Sequence, residues 1–278
     1  MIAAVLTEPA SPEAHAGLVF MDASGYPAMS GHGVMAVATL AIERGLFFSR
    51  DDTDSDARLV FDTPAGTVHA HVRLQAGPGV RRADAVAVAN VPSFVHTAAH
   101  PVRIGSRSLR VDVAFGGVFY AIVDTEAAGI PLTRDRVPEL RRLGVEIRES
   151  IGAGFDVDHP TTRALSGVDG VIFTGPPRDP EAHLLTVAVI GGAVRRCPSG
   201  TATAALMAVL DAMGLLQEDQ TFVNESLTGA LFRGRIVRRT EIGDRSAIVP
   251  EVAGTAWITG EHTFLLNEDD PFREGFAF

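Results

Sequence analysis

Two segments of this chain are apolar on every side at helical length, and they restrict the possible folds more than any other feature. Val34-Met35-Ala36-Val37-Ala38 with Leu40-Ala41-Ile42, and Ala204-Ala205-Leu206-Met207-Ala208-Val209-Leu210, lack the polar stripe that a surface helix turns to water. Such a helix must be wrapped on all sides, and strands do this most economically. The spacing predicts helices over 31–44 and 200–213, each the axis of a small barrel. Both open on a Ser-Gly pair, in Ser30-Gly31-His32-Gly33 and Ser199-Gly200-Thr201-Ala202.

The two helices belong to an internal repeat. A shift of 169 positions superposes Ser30 on Ser199, Gly31 on Gly200, Ala36 on Ala205, Gly45 on Gly214 and Leu46 on Leu215, five identities over 17 positions. Beyond them, Thr63-Pro64-Ala65-Gly66 matches Ser226-Leu227-Thr228-Gly229 at a slightly shorter offset. Duplication of one unit explains these matches better than two unrelated buried helices do. Short, β-branched runs separated by Gly, Pro or Asp read as strands at 18–21, 59–61, 68–74, 85–91, 109–123, 171–174, 184–190 and 256–259. A third helix, over 136–151, carries charges at helical spacing.

A chain of 278 residues has room for two domains or one large barrel. Ala127-Ala128-Gly129-Ile130-Pro131 interrupts the pattern. The expected division is therefore an N-terminal lobe of residues 1–125 and a C-terminal lobe of 126–261, with 262–278 packing back on the first. The acidic stretch 50–56 and Gly77-Pro78-Gly79 read as exposed loops.

Bulk properties remove several classes of function. A formal net charge of -10 argues against gripping a nucleic-acid backbone. Cys197 is the only cysteine, so no intrachain disulfide and no cysteine-based zinc cluster can form. That usage suits a reducing compartment, with the cytoplasm as the default expectation. Apolar runs such as 34–42 fall far short of the roughly 20 residues needed to cross a bilayer. Residues 1–10 lack the basic start of a secretory signal.

The first turn of a helix leaves backbone N–H groups unpaired and partly positive, so it attracts carboxylate or phosphate. Gly31, Gly33 and Gly200 would let a ligand approach that backbone without a Cβ in the way. If both starts face one cleft, an anionic small molecule between them has Ser30 on one side and Ser199 on the other. Each serine is also a good N-cap, and capping does not exclude ligand contact.

At these residues the chain resembles the proline racemase superfamily, which includes hydroxyproline epimerases and trans-3-hydroxyproline dehydratases. Met29-Ser30-Gly31-His32-Gly33 is similar to its Met-Cys-Gly-His-Gly segment, and Arg196-Cys197-Pro198-Ser199-Gly200-Thr201-Ala202-Thr203 to its Arg-Ser-Pro-Cys-Gly-Thr-Gly-Thr. Val5-Leu6-Thr7-Glu8-Pro9, Asn90-Val91-Pro92-Ser93-Phe94, Gly116-Gly117-Val118-Phe119-Tyr120-Ala121 and Gly254-Thr255-Ala256-Trp257-Ile258-Thr259-Gly260 extend the similarity over nearly the whole chain. The resemblance implies an α/β (α+β) fold of two pseudo-symmetric lobes of the diaminopimelate epimerase-like type, each a β-barrel-like sheet around a central apolar helix. It also implies chemistry without a cofactor or metal. A proton leaves Cα of a proline-like amino acid on one face and returns on the other. By position the two proton-transfer roles fall to Ser30 and Ser199. Backbone amides at Gly31, His32, Gly200 and Thr201 would hold the substrate carboxylate. A homodimer is compatible with the resemblance. Dehydratases of the family need only the first proton-transfer residue, because loss of the 3-hydroxyl replaces reprotonation.

Four departures stand out. The usual residue at one or both catalytic positions is cysteine, whose thiolate takes a proton far more readily than a serine hydroxyl. His32, two residues from Ser30, could assist it or bind substrate. Cys197 lies two residues ahead of the catalytic position and reads as a buried, inert thiol. Arg195 stands where members often carry the aspartate that binds the substrate ammonium; it would favour an additional acidic group instead. Members also carry a segment with a His-Thr-Gly-Gly-type motif ahead of the residue that matches Met1. These departures leave a catalytically silent or repurposed carboxylate binder as the alternative to an enzyme.

Three other readings are weaker. Gly31-x-Gly33-x-x-Ala36 with Asp51 fits a loose dinucleotide fingerprint, but Ser24-Gly25-Tyr26-Pro27 interrupts the strand it needs. Neither serine sits in the Gly-x-Ser-x-Gly of a serine hydrolase. His69 and His71 share a strand face and could bind a metal, yet no third ligand is evident.

Overall fold

The structure, a computed structural model, describes residues 2–22, 25–48, 53, 55–75, 81–263 and 265–274. Asp51 of the dinucleotide reading, Gly77-Pro78-Gly79 and most of the acidic stretch lie outside the described residues. The first half runs β1 (Ile2–Thr7), β2 (Ala16–Asp22), α1 (Gly31–Glu43), β3 (Asp56–Thr63), β4 (Gly66–Leu74) and β5 (Ala83–Ala89). Next come β6 (Phe94–Ile104), β7 (Arg107–Phe115), β8 (Phe119–Asp124), the short α2 (Thr125–Ala128) and α3 (Val137–Gly152). The second half runs β9 (Gly170–Gly175), β10 (Leu184–Ile190), β11 (Ala193–Val194), α4 (Gly200–Ala212), β12 (Phe222–Ser226), β13 (Leu231–Ile242) and β14 (Arg245–Gly254).

The strands join into one sheet ordered β1-β2-β3-β4-β5-β14-β13-β12-β10-β9-β8-β7-β6, with β11 paired to β10. The five strands on either side of the β5–β14 boundary mirror one another as a palindrome, and β8, β7 and β6 extend the second side beyond it. On one side β1 and β2 are antiparallel, α1 crosses over to a parallel β3, and β3, β4 and β5 continue antiparallel. On the other side β9 and β10 are antiparallel, α4 crosses over to a parallel β12, and β12, β13 and β14 continue antiparallel. The repeat read from the sequence is therefore a repeat of topology.

Its details match as well. α1 and α4 each have 13 residues. They end alike: Gly45 at φ 64° and Gly214 at φ 73°, with Leu46 N–H donating to Ala41 O and Leu215 N–H donating to Leu210 O, both at 2.8 Å. A positive φ is cheap for glycine and turns the chain out of the helix. The second matched segment falls at the β3–β4 and β12–β13 turns, where Gly66 and Gly229 also have positive φ.

The apolar helices are wrapped as expected. α4 touches β6, β7, β8, β13 and β14, and its first ten residues are all buried. The barrel around it nearly closes, because Ser93 beside β6 bridges Ile248 of β14. α1 packs on β1, β3, β4, β5 and β14, leaving Ala36 exposed. α3 is amphipathic instead: Leu140, Leu143, Gly144, Ile147 and Ile151 are buried at helical spacing, and it lies on β6, β9 and β10.

Several expectations need adjustment. The strand expected over 109–123 is two strands, β7 and β8, reversed at Gly116-Gly117. No strand forms over 256–259, and Trp257 is exposed. Within residues 262–274, Leu265 is 90% exposed and Leu266 83%. Strands β6, β7 and β8 precede residue 125 but pair in the half of the sheet that encloses α4. No described helix is long and apolar enough to cross a membrane.

Candidate active site

α1 and α4 begin against each other, at the centre of the palindrome. A Cβ added to Gly31 would lie 2.9 Å from Gly200 Cα, 3.3 Å from its carbonyl carbon and 3.5 Å from Thr201 N. A Cβ added to Gly200 would lie 3.0 Å from Gly31 Cα, 3.4 Å from its carbonyl carbon and 3.7 Å from His32 N. The two lists are reciprocal, as a local twofold axis between the helix starts requires. The two glycines let the helix starts come together, since a side chain at either would meet the other's backbone. Gly33 is likewise packed, its missing Cβ 2.7 Å from the Phe20 ring.

Both serines are N-caps. Ser30 Oγ accepts the Gly33 amide at 3.2 Å, and Ser199 Oγ accepts the Ala202 amide at 3.5 Å. The fourth amides, of Val34 and Thr203, donate to the carbonyls of Ser30 and Ser199. The first two amides of each helix, at Gly31 and His32 and at Gly200 and Thr201, are those a helix start offers to a ligand. The reciprocal distances bring these two backbone stretches, and with them the positive ends of two helices, side by side. Both serines are nearly enclosed, at 3% and 2% exposure.

The two sides differ in detail. Ser30 is extended (φ -145°), and its Oγ lies 3.5 Å from His32 Nδ1. Burial, reinforced by the guanidinium groups of Arg195 and Arg196, pulls His32 down to about 4, so the ring is neutral at physiological pH. A neutral imidazole can accept a proton. Ser199 sits at φ 67°, ψ 126°, a region L-residues other than glycine rarely enter. Strain of this kind costs about 1–3 kcal/mol and persists only where the surroundings hold it in place. Its Oγ lies 3.2 Å from Thr201 Oγ1, which in turn lies 2.7 Å from the hydroxyl of Tyr120 on β8. Tyr120, which sequence reasoning overlooked as a site residue, is fully buried, and burial raises its phenol to about 12.

Arg195 flanks the site from the chain leading into α4. Its Nη2 is 3.4 Å from Asp22 Oδ2 at the end of β2, and both side chains are largely buried. Its Nε is buried with no acceptor among the described residues. Next to this pair opens a cavity of about 520 Å³, whose lining includes Asp22, Tyr26, Arg148 and Asp169. Asp169 accepts the Phe119 amide at 3.2 Å, and burial lifts its carboxyl to about 6. Cys197 is half-buried, with its thiol pushed up by desolvation, as befits an inert residue.

The remaining motifs have structural uses. Asn90 Nδ2 donates to Gly116 O at 2.7 Å and Ser93 ties β6 to β14, so the Asn90-to-Phe94 segment closes the barrel around α4. Gly116 lets the β7–β8 turn lie against Thr201 and Ala205. His71 Nε2 lies 3.0 Å from Asp56 Oδ1 on an exposed face of β4. No group of three metal-ligating side chains occurs among the described residues.

Known proteins are similar to this chain in sequence and in fold. The sequence model of the family described as proline racemase matches residues 1–277. A trans-3-hydroxy-L-proline dehydratase of Bacillus cereus is 36% identical over 99% of this chain and 81% of its own length. A proline racemase of Acetoanaerobium sticklandii is 35% identical over 100% of this chain and 82% of its own length. The crystal structure of a hydroxyproline epimerase from Agrobacterium vitis, with bound trans-4-hydroxy-L-proline, superposes with a TM-score of 0.91. It is 29% identical, with 99% of this chain and 77% of that one covered. The chain belongs to the proline racemase family.

Proposed function

We propose that this protein removes the Cα proton of proline or hydroxyproline without a cofactor and returns one on the opposite face. The observation that carries the reading is the reciprocal meeting of the two helix starts, each capped by a serine hydroxyl. In this reading the amides of Gly31, His32, Gly200 and Thr201 hold the substrate carboxylate, and Ser30 and Ser199 address Cα from its two faces. His32 Nδ1, 3.5 Å from Ser30 Oγ, takes the hydroxyl proton as Ser30 takes the substrate's; burial and the two guanidinium groups keep the ring neutral at rest and also make it a weaker base than a free imidazole. Arg195, with its unpartnered Nε, contacts an anionic or hydroxyl group of the ligand, while Asp22 beside it offers a carboxylate to the ammonium.

A second reading, dehydration of trans-3-hydroxy-L-proline, is favoured by the asymmetry of the site. Ser30 Oγ lies 3.5 Å from a ring nitrogen, His32 Nδ1, whereas Ser199 Oγ lies beside the Thr201 hydroxyl, and elimination requires one base at Cα. Incubation in D2O with L-proline, both 4-hydroxyproline epimers and trans-3-hydroxy-L-proline separates the possibilities. Deuterium at Cα with inversion is expected for the first reading, and a pyrroline product for the second. Neither exchange nor pyrroline, despite measurable ligand binding, would leave a small-carboxylate binder.

A further inference from the structure

Hydrogen-bond direction distinguishes the two serines. Tyr120 hydroxyl, Thr201 Oγ1 and Ser199 Oγ form a buried chain with steps of 2.7 and 3.2 Å. A phenol is a stronger donor than an alcohol, so the favourable assignment runs from Tyr120 O–H to Thr201 Oγ1 and from Thr201 O–H to Ser199 Oγ. Ser199 Oγ also accepts the Ala202 amide. With both lone pairs engaged, its own proton must point away from the helix. Ser30 is arranged differently: its oxygen accepts the Gly33 amide and lies 3.5 Å from His32 Nδ1, which accepts the Ser30 proton in the tautomer that leaves Nδ1 unprotonated.

We infer that Tyr120 is a positioning residue, which acts through Thr201 to turn the Ser199 proton into the cleft and so makes Ser199 the proton donor opposite the Ser30–His32 base. The inference rests on the proposed proton-transfer function. In the forward step the Cα–H bond breaks and its electron pair stays on the substrate. The proton goes to Ser30 Oγ while the proton of Ser30 goes to His32 Nδ1. On the other face Ser199 O–H supplies the proton for the new bond. The resulting alkoxide keeps the Thr201 hydroxyl and Ala202 amide as donors, two preorganised hydrogen bonds where negative charge develops. Proton return from His32 through solvent resets the site.

The distinguishing measurement is the fate of the carbanion. In D2O, deuterium found in recovered substrate reports return on the Ser30 face, and product reports delivery from Ser199. Tyr120→Phe removes the donor at the head of the chain with little change in shape, and Thr201→Val interrupts it in the middle. Because a positioned acid contributes severalfold orders to its step, either variant should raise the ratio of deuterated substrate to product by about tenfold, and Thr201→Ser should bring it back toward the unmodified value. Exchange and product falling together, with the ratio unchanged in a folded variant, would mean a structural role only and overturn the inference. If the unmodified protein neither exchanges nor turns over any proline derivative, the proposed function fails and this inference with it. Exchange that persists with an unchanged ratio sinks the inference alone. Thr201→Val decides the matter should Tyr120→Phe not fold.

Discussion

At the scale of residues, the central contrast in the proposed site is between a binding half that resembles the family and a proton-transfer half built from hydroxyls. Serine needs a neighbour to act as a base, whereas a thiol at a helix start does not. Ser30→Cys combined with Ser199→Cys should therefore raise Cα exchange by about tenfold or more, with exchange in D2O as the measurement. An inert double variant that still binds hydroxyproline would count against proton transfer at these positions. Arg195→Asp isolates the substrate question, since it replaces a cation by an anion beside Asp22. Affinity for an amino acid should rise and affinity for a dicarboxylate should fall, measured by calorimetric titration; the reverse order would remove Arg195 from the substrate site. Asp169 carries a prediction about stability. Its folded-state carboxyl titrates near 6, above the ordinary value of 3.8, so the folded protein binds the extra proton. That contribution is complete below about 3.8 and is lost as pH rises through 6. Asp169→Asn keeps an acceptor for the Phe119 amide and cannot ionise. It should gain on the order of 3 kcal/mol relative to the unmodified protein at pH 7.5 and about 0.5 kcal/mol at pH 4, read from urea unfolding. Equal gains at both pH values would show that burial of charge is not the cause.

At the scale of elements, the site is made by the contact of two helix ends, and the contact is made by glycine. Gly31→Ala would push a methyl to 2.9 Å from the Gly200 backbone, which cannot swing aside as a side chain does. Overpacking of this kind costs about 1–3 kcal/mol, and moving the helix starts apart would misplace both serines. Activity should fall more than stability, with thermal unfolding and exchange measured on the same sample; a well-folded, fully active Gly31→Ala would show that the spacing is not critical. These elements also mark what could be read from the chain. The apolar helices, their Ser-Gly starts and the matched Gly45 and Gly214 exits follow local rules of burial, capping and positive φ, and local rules are visible in sequence. The reason for the glycines was not visible, because Gly31 and Gly200 are 169 positions apart and each answers to the other's backbone. Tyr120 escaped for the same reason. In sequence it is one aromatic in an apolar strand, and only the packing of β8 on α4 brings its hydroxyl to Thr201. Trp257 misled in the opposite direction, since Ala256-to-Thr259 has strand composition but no partner strand to join.

At the scale of the whole molecule, the palindromic sheet suggests a division different from a break near residue 125. We propose two lobes, α1 with β1 to β5 and α4 with β6 to β14, because β6 to β8 complete the barrel around α4. These lobes are not independent. Residues 251–254 of β14 pair with β5, while residues 245–253 pair with β13, so one strand belongs to the hydrogen-bonded ladder of both halves. Met35 of α1 also lies 3.0 Å from where Gly254 would carry a Cβ, which extends the α1 core onto the same strand. Losing either half exposes the face of β14 that the other needs. The expectation is one cooperative unfolding transition, in which the calorimetric and van't Hoff enthalpies agree and tryptophan-independent probes of the two lobes melt together. Two resolved transitions would mean that β14 unzips from one lobe while remaining in the other. Proline or hydroxyproline bound between the helix starts should move the single transition upward as a unit, because a ligand held by both α1 and α4 stabilises only the state in which both are formed.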